Sequence, residues 1–164
     1  MGVRFEIEGD VQVERKLLRF AEAADDMTPA WKRIDEQIRG FERSQFGTQG
    51  ASGSGGWAPL KPRTVAFKAR NNLDPRILHA TGRLRKSFTN KTDPDHVLRF
   101  GKDWFFSGSK TPYAGVHQNP KPSNPLPQRR PVELTETQRK AIVRTVQAHL
   151  VKAGKHLPAG GVTT

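Results

Sequence analysis

The chain has 164 residues, of which 34% are apolar, with 15 Gly, 12 Pro, no Cys and a formal net charge of +12. That length supports a single core rather than two, and the lack of Cys excludes disulfides, thiolate metal sites and thiol nucleophiles. No stretch approaches the roughly 18 apolar residues of a membrane span, and Met1-Gly2-Val3-Arg4-Phe5-Glu6 carries acid where a secretory leader is apolar, so a soluble protein of the compartment where it is made is expected.

In chain order, Val3, Phe5 and Ile7 alternate with Arg4, Glu6 and Glu8, the period of a half-buried strand. Gly9-Asp10 breaks it, and Asp10 is placed to cap a helix. Val13, Leu17, Ala21 and Ala24, with Leu18 and Phe20 beside them, share one helical face up to Asp25-Asp26. Thr28-Pro29 restarts a helix, a hydroxyl cap followed by Pro where no N–H is needed. Trp31, Ile34, Ile38 and Phe41 continue it at spacings of three and four. The two helices read as an antiparallel pair or a bent rod with both stripes in the core.

Residues 47–56, GTQGASGSGG, have the composition of a flexible tether. They lack the Gly-Lys-Ser/Thr ending and helix start of a phosphate loop. Trp57-Ala58-Pro59-Leu60-Lys61-Pro62 is an extended anchor, its prolines fixing φ and biasing their neighbours away from helix. A short basic helix follows, with Thr64 as its cap and Val65, Ala66 and Phe67 within it, and Asp74-Pro75 turns the chain back. Leu84 and Phe88 read as one helical turn or a strand start. His96-Val97-Leu98-Arg99-Phe100 is a strand, joined through Gly101-Lys102-Asp103 to a partner at Trp104-Phe105-Phe106. Residues 119–131 form a Pro-rich arm. Thr135-Glu136-Thr137-Gln138 fits a capping box. The helix behind it, expected over 135–151, carries Ile142, Val143, Val146 and Leu150 on its buried side and Arg139, Lys140 and Arg144 on the other, with a frayed tail over 154–164. Together these predict a single α+β domain over 1–164: a small antiparallel sheet of roughly three to five strands packed against N-terminal helices and a C-terminal helix, with long loops or arms.

Charge is unevenly placed. Residues 1–60 hold 8 Lys/Arg against 10 Asp/Glu, residues 61–110 hold 12 against 4, and residues 111–164 hold 8 against 2. A basic face attracts nucleic acid by counterion release or an acidic protein surface by complementarity, and charge alone does not choose. The histidines 79, 96, 117, 149 and 156 show no i, i+3 or i, i+4 pairing of a metal site. No nucleophile elbow and no His-Glu-x-x-His is present, and Asp93-Pro94-Asp95 reads as turn chemistry rather than a metal-binding carboxylate pair. Catalytic, cofactor-binding and metal residues are therefore expected to be none, and the chain is not expected to be an enzyme.

Four short signatures then stand in fixed order: Trp57-Ala58-Pro59-Leu60; Ile77-Leu78-His79-Ala80-Thr81-Gly82-Arg83-Leu84; Pro112-Tyr113-Ala114-Gly115-Val116-His117-Gln118; and Arg129-Arg130-Pro131. The series resembles the phage virion morphogenesis family, the small tail-completion and neck proteins of tailed phages. The resemblance runs from about Trp57 to Leu150. The family's Tyr-Ala-x-x-His-Gln pattern is met by Tyr113, Ala114, His117 and Gln118, and its Arg-Pro pair by Arg130-Pro131. Where the family follows His-Gln with an aromatic residue or Gly, this chain has Asn119-Pro120.

What the resemblance implies is a structural virion protein of the neck or tail. It would complete or terminate the tail tube and join it to the head connector or stopper as a subunit of a ring, a hexamer by match to the tube. The implied partners are further copies of itself, the tail tube protein and the head-tail connector, with DNA threading the ring and no membrane. The structural and interface residues it carries over are Trp57, Pro59, Leu60, Thr81, Gly82, Leu84, Tyr113, Ala114, His117, Gln118, Arg130 and Pro131. Tyr113 and Ala114 are expected to pack one helical turn, and His117 and Gln118 to bond loop backbone and fix the Arg-Pro turn. The alternative reading is a basic nucleic-acid-binding module, for which Trp104, Phe105 and Phe106 are the candidate base-stacking residues, although no helix-turn-helix, zinc finger or RNA-binding aromatic motif is present.

Overall fold

The computed structural model describes residues 10–53, 55–123 and 126–155. The expected strand at Val3–Ile7 and most of the expected tail lie outside the described residues. Helix α1 spans Asp10–Asp25 and α2 spans Thr28–Gly47. Between them the carboxylate of Asp26 accepts the Thr28 N–H at 3.0 Å, so the carboxylate takes the role expected of the Thr28 hydroxyl, and Met27 is the capping position. The Met27 N–H donates to the Lys102 carbonyl at 2.8 Å, which ties this joint to the loop between the two strands described below.

The antiparallel alternative for α1 and α2 is not adopted. Helix α1 packs on the C-terminal helix α6 (Glu136–Lys155), and α6 in turn packs on α2. His149 Nε2 lies 3.1 Å from the carbonyls of both Ala23 and Asp26, so it donates to the orphan acceptors at the end of α1. The expected core stripe of α1 is not buried. Val13, Leu17 and Leu18 are 54%, 62% and 56% exposed, and Ala23 is the buried residue. On α2 the buried face is shifted from the apolar one: Ile34 and Phe46 are buried, but so are Asp35, Glu42 and Gln45. These polar groups are tolerated because some have internal partners. Arg39 Nε donates to Asp35 at 2.9 Å, and Gln45 donates to the Arg130 carbonyl at 3.2 Å.

Where composition alone predicts a tether, residues 48–53 and 55–57 are tied together by turn hydrogen bonds. The Gly50 N–H reaches the Gln45 carbonyl and the Trp57 N–H the Gln49 carbonyl, each at 2.8 Å. This returns Trp57 to an edge contact with Phe46, ring centroids 5.4 Å apart. Helix α3, Pro62–Arg70, has Lys61 as its cap position, three residues before the expected cap Thr64. Helix α4, Arg83–Thr89, settles the Leu84/Phe88 ambiguity as helix. Strands β1 (His96–Phe100) and β2 (Phe105–Ser109) form the expected antiparallel hairpin, in register His96↔Ser109 to Phe100↔Phe105. Trp104 falls in the turn, where its carbonyl accepts the Gly101 N–H at 2.9 Å, and Gly108-Ser109 belongs to the strand.

Among the described residues the sheet has these two strands. It is covered by α2 and α4, while α6 lies on α1 and α2. Helix α5 is the single turn Ala114–Gln118. Before α6, Thr135 and Gln138 form the reciprocal cap: the Thr135 N–H donates to Gln138 Oε1 at 2.9 Å and the Gln138 N–H to Thr135 Oγ1 at 3.3 Å. That helix continues through Gly154 to Lys155, four residues past the expected end, and Val143 on its expected inner side is 52% exposed. The architecture is a small α+β fold whose core gathers Phe46, Leu84, Phe88 and Ala114, with Trp57, Leu78 and Val132 packed against it. Every one of the four sequence signatures touches or flanks that cluster.

Candidate functional site

Beside this core lies a groove of about 450 Å³. Its walls come from all four signatures: Leu60 from the first, Leu78 and Leu84 from the second, Tyr113 and His117 from the third, and Arg129 from the last. Local backbone chemistry explains how each arrives. Gly82 has φ +76°, the left-handed conformation that glycine adopts without cost. The Lys86 N–H accepts its placement by donating to the Gly82 carbonyl at 2.9 Å, the first bond of α4, and the Arg83 N–H reaches Thr81 Oγ1 at 3.4 Å. Leu78 has φ +59°, a conformation costing about 1–2 kcal/mol in a residue with a Cβ. In that conformation its side chain packs against the core cluster and lines the groove.

The third and fourth signatures are locked together by backbone bonds. Gln118 donates from Nε2 to the Val132 carbonyl at 2.8 Å and accepts the Val132 N–H on Oε1 at 3.2 Å. The Arg129 N–H reaches the His117 carbonyl at 3.2 Å, and Gln128 Nε2 the Gln118 carbonyl at 2.9 Å. Pro131 is fully buried. Arg130 points its guanidinium to Glu133 at 3.2 Å, while its carbonyl accepts the Trp57 indole N–H at 3.1 Å. Ala114 is buried, and Tyr113 is 40% exposed, its ring edge-on to that of His117. Gln118 thus bonds loop backbone as its position in the motif implies. The His117 ring does not: Nδ1 is buried without a hydrogen-bond partner. Pro59 enters through its carbonyl, which accepts from Arg129.

Two residues outside the sequence-based set organise the floor. Arg129 is 7% exposed and donates from Nε to the Ala58 carbonyl at 2.8 Å and from Nη2 to the Pro59 carbonyl at 2.9 Å. Lys68, 6% exposed, donates from Nζ to the carbonyls of Asp74 at 2.9 Å and Arg76 at 2.6 Å. Among the described residues neither makes an ion pair with a carboxylate, and no carboxylate lines the groove. Burial pushes the Lys68 pKa down; nearby Asp74 raises it and Arg129 lowers it further. His117 is likewise depressed by burial and then by Arg129. Two cations and a histidine therefore sit close together under apolar walls, an arrangement suited to an anionic group. Arg129 was visible in the sequence only as the neighbour of the Arg130-Pro131 pair, and Lys68 only as one cation of a basic helix.

A second buried polar group lies between α2 and β1. His96 Nδ1 donates to the Ser87 carbonyl at 2.9 Å, and its Nε2 stands 3.8 Å from Asp35 Oδ1. Glu42 is buried on the same helix face, and burial, reinforced by Asp35, pushes its pKa up to about 8. Asp93 Oδ1 accepts the Asp95 N–H at 2.9 Å, and Asp95 pairs with Arg83, so these two acids serve the turn and α4. Among the described residues no group of three His, Asp or Glu side chains is placed to hold a metal ion, and no helix is long and apolar enough to cross a membrane.

These features describe a small α+β structural domain whose distinctive surface is one groove built at the meeting point of four backbone-locked signatures. The chain belongs to the phage virion morphogenesis family, whose family model matches residues 9–151. Its role accordingly lies in building the phage particle. Comparison with curated proteins and with solved structures gave no match.

Proposed function

We propose that the protein is a non-catalytic subunit of the phage neck or tail, completing or terminating the tail tube and joining it to the head connector as a homo-oligomeric ring. The observation that carries this reading is the groove itself. In a family concerned with virion morphogenesis, all four signatures are spent on shaping and fixing one apolar, cation-floored recess, which is a binding surface rather than a reaction centre. Head-to-tail contacts between identical subunits need two different faces per copy. The charge difference between the basic segment 61–164 and the slightly acidic N-terminal segment supports two such faces. A sixfold ring matches the symmetry expected of a tail tube. Tube and connector proteins meet the remaining faces.

The test is an image of purified virions at a resolution that reveals the neck, beside particles from a phage lacking this gene. Density for the protein between tube and connector, and heads and tails that fail to join without it, are the expected results. A titration with duplex and single-stranded DNA at two salt concentrations tests the nucleic-acid alternative. Weak binding that falls steeply with salt is expected from the charge of +12. Submicromolar affinity at physiological salt from a strict monomer, with no neck density, would replace the virion-structural reading by that of a nucleic-acid-binding module.

A further inference from the structure

Lys61, Lys68 and Arg129 give the groove three cations, and among the described residues no carboxylate lines it. Lys68 and Arg129 donate to backbone carbonyls, which leaves their charge uncompensated. His117 lines the groove too, with Nδ1 buried and without a hydrogen-bond partner. Beside these polar groups stand Leu60, Leu78, Leu84 and Leu126. An occupant that suits both parts brings a large apolar side chain with a carboxylate next to it. The turn between β1 and β2 carries that pair. Trp104 is 52% exposed, with its indole laid against Gly101. Asp103 beside it is exposed, and among the described residues it has neither an ion pair nor a hydrogen bond. Lys102, the cation of the turn, is already matched by Asp25 at 3.4 Å. We infer that the groove seats the β1–β2 turn of a neighbouring copy of this chain, the Trp104 indole against the leucines and the Asp103 carboxylate toward the cations.

The turn and the groove lie at opposite ends of the hairpin. At the turn, the Met27 N–H donates to the Lys102 carbonyl at 2.8 Å and the Trp31 indole N–H to the Gly101 carbonyl at 3.1 Å, which fastens it to the α1–α2 joint. At the other end Asp95 pairs with Arg83 of the groove, and its carbonyl accepts the Lys110 N–H at 2.8 Å. Strand geometry from His96 to Gly101 puts about 20 Å between these ends, and no residue of 96–109 lines the groove. A turn held in this way cannot fill the groove of its own chain, and it loses little freedom on entering that of another. One copy thus carries two different faces that complement each other. The contact is heterologous and closes into a ring when the rotation allows. Nucleic acid is the poorer occupant: Lys68 and Arg129 are buried at the floor, out of reach of a duplex backbone, and Asp103 repels phosphate from the Trp104 indole. The inference rests on the reading of the chain as a self-assembling subunit, and it names the two surfaces that meet.

The experiment uses the full chain and three variants, with mass measured across a concentration series. Trp104→Ser removes the indole and keeps the groove. Asp103→Lys reverses the charge of the turn at an exposed residue. Leu126→Asp disables the groove at an exposed residue and keeps the turn. Wild-type chain is expected to assemble, and each variant alone to weaken assembly by at least about tenfold. Trp104→Ser mixed with Leu126→Asp is expected to form 1:1 dimers and nothing larger, since one intact turn meets one intact groove. Circular dichroism and melting checks confirm that the variants fold; should Trp104→Ser fail, Asp103→Lys takes its place in the mixture, and should Leu126→Asp fail, Tyr113→Ser does. A monomeric wild type, wild-type assembly by any of the variants, or a mixture that stays monomeric would overturn the inference. If the variants assemble normally but block tail joining, the turn meets another virion protein and self-docking is wrong, while the neck reading stands. If the mixture dimerises but virions carry no neck density for the protein, the neck reading fails and the docking stands.

Discussion

Gln118 and Val132 meet as two strands of a ladder would, side-chain carboxamide against backbone amide, with Nε2 to the carbonyl at 2.8 Å and Oε1 to the N–H at 3.2 Å. One side chain thereby satisfies both polar groups of a residue packed on the core. It fixes the segment that carries Arg129, Arg130 and Pro131 into position. Gln118→Leu keeps the volume and leaves that N–H and carbonyl without these partners. A loss of about 1–3 kcal/mol is expected, because a polar group held away from water incurs its desolvation cost uncompensated when its partner is removed. Urea denaturation measures it.

Arg129 closes the groove floor by joining the last signature to the first, through the carbonyls of Ala58 and Pro59. Lysine has one charged nitrogen where arginine has a planar fork, so it cannot hold both carbonyls in the same geometry. Arg129→Lys is expected to cost about 1–3 kcal/mol in thermal or urea unfolding. An unchanged melting curve would show that the fork carries no structural role.

The elements most legible in the sequence are those whose signal is local. The Thr135/Gln138 capping box and the hairpin follow from chemistry within a few residues: the cap and β1 stand where expected, while the second strand starts at Phe105 rather than Trp104 and runs on to Ser109. Helix α2 and its buried Ile34 existed in the pattern, but the polar part of its buried face did not. The stripe of Trp31, Ile34, Ile38 and Phe41 says nothing of Asp35, Glu42 and Gln45, to which Arg39, Arg130 and the packing of β1 give an interior. The stripe of α1 failed for the opposite reason: periodicity records that an apolar face exists, not whether the same chain covers it. For the site, short motifs pointed to the right segments. The floor cations were invisible because a lysine on a basic helix and an arginine beside another look like surface charge, and their carbonyl partners at Ala58, Pro59, Asp74 and Arg76 lie in loops that no periodicity marks.

Gly50 decides whether the glycine-rich segment closes. Its φ is +90°, and a Cβ there would stand 2.8 Å from the backbone nitrogen of Trp57, which is not free to move aside because it donates to the Gln49 carbonyl. Gly50→Ala therefore meets both left-handed strain and a backbone clash. It is expected to destabilise the chain by more than about 1 kcal/mol and to displace Trp57 from Phe46, read as a changed near-ultraviolet circular dichroism signal. Gly55→Ala shares the positive φ but meets nothing within 4 Å, so strain without the clash makes it the milder of the two. Equal effects at both positions would rule out the Trp57 contact as the cause.

Glu42 sets a slope in stability against pH. Its folded pKa is pushed up to about 8 from 4.5 by burial and by Asp35. Between those values the folded chain keeps a proton that the unfolded chain has released, so stability falls as pH rises through the window, by at most about 1.4 kcal/mol per pH unit for one proton. His79 and His117 act with the opposite sign lower down. Both are depressed by burial below 6.5, so the folded chain binds fewer protons there and stability rises with pH until their unfolded value is passed. Above about 6.5 Glu42 acts alone among these three groups. Wild-type protein is expected to lose stability from about pH 6.5 to about pH 8, and Glu42→Gln, which copies the shape of the protonated acid without its titration, to flatten that decline. Urea unfolding of both proteins at several pH values across the window decides it, and parallel slopes would show that Glu42 is already ionised in the fold.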